Sequence, residues 1–307
     1  MTVGWVAAST RGRALTRRTV GPAGAQSLAT ADSWTDARAR LATTSYGSEL
    51  SPNADRTTAR RVAAAATVWQ LRVLAGWLPP TSRSLARTFA APMEIANIDA
   101  HLARLGGAEP AEPIPLGSLG VAWPRTATTS SIEQARNVLA RSPWGDPGGI
   151  NRAEIVLGLR VAWARRLVRQ APIATEWALG AAALLIARER FAFDREFPET
   201  TSRELDRLLG ARWRTASNPS ELAGRIPKSA AWALEDLSDP ADLWLSELAI
   251  ARRVDYDARR VAGSARFGRN MVAAVMALLL VDLWRITAAI EVAGRTPIPT
   301  EVFDDMA

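Results

Sequence analysis

The sequence predicts an all-α protein. No segment alternates apolar and polar residues with the β-branched and aromatic enrichment that is typical of strands, whereas good helix formers such as alanine, leucine, arginine and glutamate dominate. Apolar residues recur at steps of three and four, as they do along one face of an amphipathic helix. A short pattern that occurs three times along the chain further predicts three related helical units.

The composition is that of a globular protein with a large core. The chain has 307 residues, of which 48% are hydrophobic and 22% are charged. A chain of this length buries about three-quarters of the surface that its unfolded form exposes. Each of the 12 tryptophans would bury about 150–250 Å² when packed, so we expect a stiff core. The sequence has no cysteine, which excludes disulfides and thiolate metal sites.

The charge of the chain raises the question of a nucleic-acid partner. The net charge is +7 and the sequence pI is about 11. The basic residues are almost all arginine, because Lys228 is the only lysine, and they are scattered in pairs rather than gathered on one face. We therefore expect solvated faces or an acidic protein partner, and no nucleic acid. A helical nucleic-acid-binding or regulatory interaction protein that uses this basic surface is the alternative.

Two long segments carry a clear helical period. The first covers residues 55–78 and the second covers residues 264–293. The second segment contains the longest purely apolar run, residues 271–281, which Asp282 ends. Because about twenty apolar residues are needed to span a bilayer, we expect a buried helix here. Residues 1–20 also lack the pattern of a signal peptide, so we expect a cytoplasmic protein.

Capping patterns place several helix starts. Asn151 with Glu154, and Thr201 with Glu204, have the spacing of a capping box. Asp239 precedes a proline, as an N-cap residue often does. Together with the helical periods, these patterns predict about ten to twelve helices and no sheet.

The threefold pattern consists of a short helix followed by an aromatic residue. Each copy begins beside an N-cap residue, and the aromatic residue lies nine positions after a shared alanine. A glycine follows the first two aromatic residues and can supply a left-handed helix end, whereas the third copy has Pro227 in place of a leucine. We interpret the aromatic residues as core anchors, with partner contact as the alternative. The copies are residues 33–47 with Tyr46, residues 131–145 with Trp144, and residues 219–232 with Trp232.

A second element recurs after each copy. Residues 95–102 and 283–290 are similar, and a glycine and then Pro-Ile-Pro follow both; residues 179–186 form the middle copy. Asn97, inside the first copy, needs hydrogen-bond partners if it is buried. The two recurring elements together predict three helical repeat units, which are residues 1–115, 116–203 and 204–307.

The sequence contains no set of residues that indicates catalysis. There is no nucleophile–base–acid pattern, and the only histidine, His101, lies among apolar residues as a packing or surface residue would. The glycine-rich segment 144–149 contains Pro147 and lacks the Gly-Lys-Ser/Thr of a phosphate-binding loop. We therefore predict that the protein is not an enzyme and has no catalytic residues, cofactor or metal.

Several segments resemble the C subunits of V-type and A-type rotary ATPases, called subunit d in the eukaryotic enzyme. Residues 5–15 resemble the family's opening helix with its spaced arginines, and residues 41–50 resemble its short helix ending in Thr-x-Tyr-Gly. Residues 94–106 resemble its Asn-Leu helix, and the final helix with its Pro-Ile-Pro tail resembles its last helix and loop. The middle of the chain is covered only through the repeat pattern.

The resemblance implies a fold, a function and partners. The family fold is an all-α, funnel-like socket of three similar helical units around a pseudo-threefold axis. The resemblance implies a non-catalytic subunit that couples the central-stalk rotor subunits to the membrane proteolipid ring and transmits torque. It places the chain at the cytoplasmic face of the cell membrane, within the complex and without a membrane span of its own. The candidate partner contacts, with a solvated face as the alternative, are Arg11, Arg13, Arg17 and Arg18.

Overall fold

A computed structural model describes residues 3–237, 239–264 and 266–295. This part of the chain is all-helical and contains no strand, which confirms the predicted fold class at this level. Short 3₁₀ turns join some helices, and one π-helical turn (Arg188–Ala192) extends α9. The α-helices are α1 (Val3–Thr16), α2 (Gly21–Ala29), α3 (Trp34–Ala42), α4 (Arg56–Trp77), α5 (Arg83–Leu105), α6 (Trp123–Thr126), α7 (Ile132–Ala140), α8 (Arg152–Gln170), α9 (Thr175–Ala187), α10 (Glu199–Leu209), α11 (Pro219–Arg225), α12 (Lys228–Ala231), α13 (Leu243–Ala262) and α14 (Arg269–Val292).

The three short helices of the repeat begin in the same way. Ser33, Ser131 and Asn218 each use a side-chain oxygen to accept a hydrogen bond from the backbone N–H three residues further on. This cap satisfies one of the backbone donors that a helix start leaves without a partner. Asp55 and Asn151 cap the following helices α4 and α8 in the same manner. These caps confirm the helix starts that the sequence predicted at Asn151 and at the three repeat copies.

One predicted cap is wrong. Helix α10 begins at Glu199, directly after Pro198, so Thr201 lies inside the first turn instead of before it. Pro198 is the N-cap residue, with ψ 144°, and because its side chain has no hydrogen-bond acceptor this helix start has no side-chain cap. The Thr201 hydroxyl instead donates to the carbonyl oxygen of Pro147 at 3.3 Å. Asp239 does act as a cap, because it accepts from a backbone N–H in the 3₁₀ turn before α13.

The order of helices recurs three times along the chain. Two short helices are followed by two long ones in α2–α5 and again in α6–α9. The third group, α10–α14, has the same order with the four-residue helix α12 added after its second short helix. Helix α1 precedes the first group. The sequence predicted three repeat units, residues 1–115, 116–203 and 204–307, on the basis of this kind of internal similarity. That division stays a prediction.

By compactness the chain divides into two units. Unit 1 consists of residues 1–90, 113–119 and 255–307, and unit 2 consists of residues 91–112 and 120–254. In unit 1, helices α1, α2 and α4 pack against α14. Gly12 of α1 allows a close approach there, because a Cβ atom at this position would lie 3.1 Å from a methyl group of Val275.

Helix α14 is the core helix of unit 1. Its length of 24 residues and a mean hydropathy of 1.9 in its most apolar window would suffice to cross a membrane. However, 72% of that window is buried inside the protein, as in the core helix of a globular protein. It is the one helix in the described ranges that meets these criteria.

Unit 2 has its core between α8 and its neighbours. Ile98 and Leu102 of α5, Leu139 of α7, and Ile155 and Leu159 of α8 form one buried cluster. On another side, α9 packs against α8, α10, α11 and α12. Shielding of this many apolar side chains from water is the main favourable contribution to folding.

The short helices follow one packing rule. Helices α6 and α7 of the second group pack on α5, the last helix of the first group. Helices α10 and α11 of the third group pack on α9, the last helix of the second group. Helix α2 of the first group packs on α14, which is the last helix of the third group. Each group therefore packs on the final helix of the group before it, and the first group packs on the final helix of the chain.

The tryptophans are less buried than expected. Only Trp144, Trp177 and Trp213 are buried, whereas Trp69, Trp77 and Trp244 are about half exposed. Helix α4 turns its alanines and leucines toward the core and leaves Trp69 and Trp77 on its outer side. The expectation that the tryptophans pack in the core is wrong for these exposed residues.

Candidate functional site

Two buried carboxylates occupy equivalent places in the recurring groups. Glu94 of α5 and Asp282 of α14 are each 1% exposed. They directly precede the similar segments 95–102 and 283–290. A buried charge is costly unless hydrogen-bond donors surround it, so each carboxylate requires a set of partners. The sequence patterns do not mark these two residues as a pair, although each is an acid within an apolar stretch of helix.

Glu94 accepts four hydrogen bonds from N–H groups. Its Oε1 atom accepts from the backbone N–H of Val121, Ala122 and Trp123 at 2.6, 2.7 and 2.9 Å. Its Oε2 atom accepts from the indole Nε1–H of Trp144 at 3.2 Å. The three backbone donors stand at the start of the one-turn helix α6, and hydrogen bonds from N–H groups to an ionised carboxylate are stronger than neutral ones. Glu94 therefore joins three elements of unit 2 at one point.

Asp282 makes the corresponding junction in unit 1. Its two oxygen atoms accept from the backbone N–H of Val20 at 2.8 Å and of Gly21 at 2.7 Å, at the start of α2. The Tyr46 ring is buried beside it. Burial, and to a smaller extent the negative charge of Asp282, raises the pKa of Tyr46 far above its ordinary value. Among the described residues, the Tyr46 hydroxyl has no hydrogen bond of ordinary geometry.

The turns that carry the two aromatic residues are alike. The hydroxyl of Thr44 donates to the Leu41 carbonyl at 2.7 Å and accepts from the Tyr46 N–H at 3.2 Å. In the second copy, the hydroxyl of Ser142 donates to the carbonyl of Leu139 at 2.6 Å and accepts from the N–H of the aromatic residue at 3.1 Å. These local side-chain bonds to the backbone hold the turn and direct the aromatic residue inward.

The glycines after the aromatic residues serve different purposes. Gly145 has φ +77°, in the left-handed region that the sequence predicted for both glycines. Gly47 is not left-handed. A Cβ atom at Gly47 would lie 2.3 Å from the carbonyl oxygen of Leu41, so this position requires glycine for space. The prediction is correct for the second copy and wrong for the first.

The third copy lacks the carboxylate. Trp232 is half-buried, and its indole N–H donates to the carbonyl of Ser229 at 3.0 Å. Ala178 stands at the position of α9 that corresponds to Glu94 of α5. The Trp232 ring lies over Gly180, where a Cβ atom would come within 2.7 Å of the ring. Trp232 therefore packs against the side-chain-free surface of Gly180 on α9, whereas Trp144 and Tyr46 pack beside a carboxylate.

The register of the third copy differs by one residue from the sequence alignment. When the copies are aligned by their N-cap residues, Leu222 and Ile226 occupy the two core positions, and both are buried. Pro227 therefore does not replace a core leucine, as the sequence comparison predicted. It precedes α12 and starts that helix.

A second polar residue lies one turn beyond each carboxylate. Asn97 of α5 and Arg285 of α14 are 3% and 4% exposed. Arg285 donates to Asp255 Oδ1 at 2.8 Å, within unit 1. Burial on its own would raise the pKa of Asp255, but hydrogen bonds from Arg259 and Arg285 outweigh it and hold this pKa below its usual value.

The four candidate arginines of the first helix have different surroundings. Arg13 donates to the carbonyl of Ser264 at 2.6 Å, and its guanidinium lies over the Phe267 ring, so it is used within the chain. Helix α1 ends at Thr16, so Arg17 and Arg18 lie in the following turn, where both are exposed. Arg11 is half-buried and has an Nε atom without a partner among the described residues.

His101 takes part in a chain of hydrogen bonds. An arginine can only donate, so Arg104 Nη2, at 3.2 Å, requires His101 Nδ1 to accept. The Nε2–H then donates to Thr129 Oγ1 at 2.9 Å, and Thr129 donates to the carbonyl of Thr126 at 2.7 Å. Burial, with the charge of Arg104 as the second cause, lowers the pKa of His101. No group of His, Cys, Asp or Glu side chains in the described ranges is arranged to hold a metal ion.

The glycine-rich loop 144–149 packs against α8. A Cβ atom at Gly158 of α8 would lie 1.8 Å from the carbonyl oxygen of Pro147, so the loop and the helix are in direct contact. Asp146 accepts two hydrogen bonds from Arg136 and one from the Gly148 N–H, all at 2.9 Å. Its pKa is lowered, with the bond from Arg136 as the main cause. The polar groups of the loop are thus engaged within unit 2.

No protein-family model matches the chain, and no curated protein matches it.

Proposed function

We propose that the chain is a non-catalytic central-stalk subunit of a bacterial V-type rotary ATPase. In this role it couples the rotor subunits of the stalk to the proteolipid ring and transmits torque. One observation carries the proposal: each pair of short helices packs on the final helix of the preceding group, and the first group packs on α14. Equivalent packing of the short helices on a long final helix in all three groups is what a socket of three similar units requires.

The buried junctions suit a part that must resist twisting. Torque transmission needs elements that move together, and packed interiors do not deform continuously. Glu94 ties three elements of unit 2 with four hydrogen bonds, and Asp282 ties α2 to α14 in unit 1. Hydrogen bonds to a buried charge are among the stronger ones in proteins.

The partner contacts in this proposal involve exposed arginines. Arg17 and Arg18 are available beyond the end of α1, whereas Arg13 is bound within the chain. Arginine binds carboxylates through two parallel hydrogen bonds, so acidic stalk or ring helices are suitable partners.

The alternative of nucleic-acid binding finds less support. Many arginines across the described ranges form ion pairs with acids of the same chain, such as Arg136 with Asp146 and Arg214 with Asp206. Paired charges attract phosphate less than a continuous basic face does. A binding measurement with duplex DNA at low and high salt separates the two, because a nucleic-acid binder loses affinity steeply as salt rises.

The test of the proposal is co-purification. Tagged chain is recovered from native membranes after mild detergent extraction, and its companions are identified by mass spectrometry. We expect the catalytic, stalk and proteolipid subunits of a rotary ATPase in constant proportions. An unrelated tagged protein from the same membranes serves as the control. Recovery of folded chain without any ATPase subunit would contradict the proposal.

A further inference from the structure

Two stretches of unit 1 contain arginine as their only charged residue type. Residues 1–31 hold four arginines and residues 56–90 hold six, and neither stretch contains an aspartate, glutamate or lysine. They include α1, α2, α4 and the first part of α5. The whole chain has 31 acidic residues against 38 basic ones, so the absence of acids is a local property. These stretches carry positive charge without an acid of their own.

Large apolar side chains are exposed in the same stretches. Trp69 and Trp77 of α4 are 53% and 52% exposed, and Val3 and Val6 of α1 are 86% and 40% exposed. The start of α1 lies against the end of α4, because a Cβ atom at Gly4 would be 3.2 Å from the Trp77 carbonyl oxygen. The start of α1, with its exposed valines, therefore lies close to the end of α4 that carries Trp77.

Two arginines complete this surface. Arg72 lies between the tryptophans on α4, and its Cζ atom is 2.9 Å from the place of a Cβ atom at Gly117. Arg87 of α5 donates from Nε to the carbonyl of Ser118 at 3.3 Å, so both guanidinium groups converge on the same turn. Both arginines are exposed, and neither forms an ion pair within the described part of the chain. We define the tryptophan–arginine face as Trp69, Arg72, Trp77 and Arg87.

We propose that the tryptophan–arginine face binds the surface of an anionic phospholipid bilayer. Tryptophan favours the boundary between headgroups and acyl chains, because its ring is apolar and its N–H is polar. Arginine is attracted to anionic headgroups, and the stretches 1–31 and 56–90 hold no carboxylate of their own that would repel those headgroups. Arg60 pairs with Glu291 of α14, whereas Arg72 and Arg87 form no such pair among the described residues. An acidic protein would also attract the arginines, but it would need pockets shaped for two protruding indole rings. A fluid headgroup layer needs none. This inference goes beyond the stalk proposal and does not depend on it.

The experiment uses the purified full chain and lipid vesicles. Sedimentation measures its partition onto vesicles of phosphatidylcholine alone, or of phosphatidylcholine with about 30% phosphatidylglycerol to supply anionic charge. We expect binding to the anionic vesicles, weaker binding to the neutral ones, and a decrease as salt screens the arginines. The tryptophan emission should shift to shorter wavelength as the exposed rings leave water.

Variants locate the contact. The double variant Trp69→Ala/Trp77→Ala should lower the partition by about tenfold or more, because it removes the apolar part of the contact. Arg72→Ala/Arg87→Ala should lower it roughly 25-fold, about fivefold for each arginine. Trp244→Ala and Arg160→Ala change equally exposed residues of unit 2 and serve as matched controls, with partition expected as in the wild type. Melting curves establish that each variant is folded.

Two results would overturn the proposal. The first is a wild-type chain that does not sediment with anionic vesicles at low salt. The second is a loss of partition in the unit 2 controls as large as in the Trp69→Ala/Trp77→Ala variant. The wild-type chain could instead fail to bind vesicles and bind a lipid-free, detergent-solubilised protein complex through the same two tryptophans. In that case the face is a protein-docking surface, and the lipid proposal is wrong.

Discussion

The two carboxylate junctions have the same plan and differ in how well the aromatic residue is bonded. In unit 2, Glu94 accepts three backbone N–H bonds and the indole N–H of Trp144. In unit 1, Asp282 accepts two backbone N–H bonds, and the nearby Tyr46 hydroxyl makes none of ordinary geometry. The difference indicates that a buried ring can pack beside a carboxylate at a helix start with or without a hydrogen bond of ordinary geometry between the two side chains.

The third copy extends this comparison. Trp232 packs over Gly180 of α9 without any carboxylate and bonds to a carbonyl of its own turn. A ring on the final helix of the preceding group is thus common to all three copies, whereas the buried charge occurs in two. The charge is then a local means of holding the start of α2 or α6, and the ring is the common feature.

The largest expected effect follows from removing the carboxylates. Glu94→Ala leaves three backbone N–H groups and an indole N–H buried without an acceptor, so we expect a loss of about 3–5 kcal/mol in the free energy of unfolding. Asp282→Ala leaves only two backbone N–H groups without an acceptor, so the free energy of unfolding should fall by less, about 2–3 kcal/mol. Urea titration followed by circular dichroism measures both. Equal losses, or a larger loss for Asp282→Ala, would contradict the comparison.

We expect a smaller difference in unfolding free energy between the two junctions when the donor group of the aromatic residue is removed. Trp144→Phe deletes a hydrogen bond to a buried charge and leaves a gap, so it should cost about 2 kcal/mol of unfolding free energy. Tyr46→Phe deletes a buried hydroxyl that has no ordinary partner, and stability should change by less than about 1 kcal/mol in either direction. The same urea titration compares them. A strongly destabilised Tyr46→Phe protein would mean that the hydroxyl is bonded after all.

Alkaline pH should affect only the junction that can titrate. Burial and the charge of Asp282 keep Tyr46 protonated in the folded chain, whereas a tyrosine in the unfolded chain ionises near pH 10. The unfolded state therefore binds fewer protons above about pH 10, and stability should fall there by about 1.4 kcal/mol per pH unit, with no loss below it. Tyr46→Phe should remove this fall, while the control Tyr256→Phe, at an exposed tyrosine, should retain it. Melting temperature against pH is the measurement.

Local features of the fold could be read from the sequence. The long helix at residues 55–78 and the caps at Ser33, Ser131 and Asn218 depend on spacing between near neighbours, and the structure contains them. The helix predicted at residues 264–293 is also present, but it begins five residues later than predicted, at Arg269. The repeated aromatic positions were recognisable for the same reason. The cap predicted at Thr201 is wrong because the spacing of Thr201 and Glu204 does not show that the helix begins two residues earlier, at Glu199.

Features that depend on tertiary packing could not be predicted from the sequence. The spacing of Trp69 and Trp77 indicates a helix but does not say which side of it meets the core, and both rings point outward. The roles of Glu94 and Asp282 depend on helix starts that come from distant parts of the chain. The shift of the third copy by one residue relative to the other two follows from the burial of Leu222, which the sequence does not show.

Cryo-electron microscopy of the complex recovered with the tagged chain tests whether the chain is a pseudo-threefold coupling between stalk and ring. We predict that the three helix groups superpose by successive turns of roughly a third of a circle, with the chain lying between a helical stalk and a proteolipid ring. A chain whose groups share no such rotation, or a particle that lacks both stalk and ring, would contradict it.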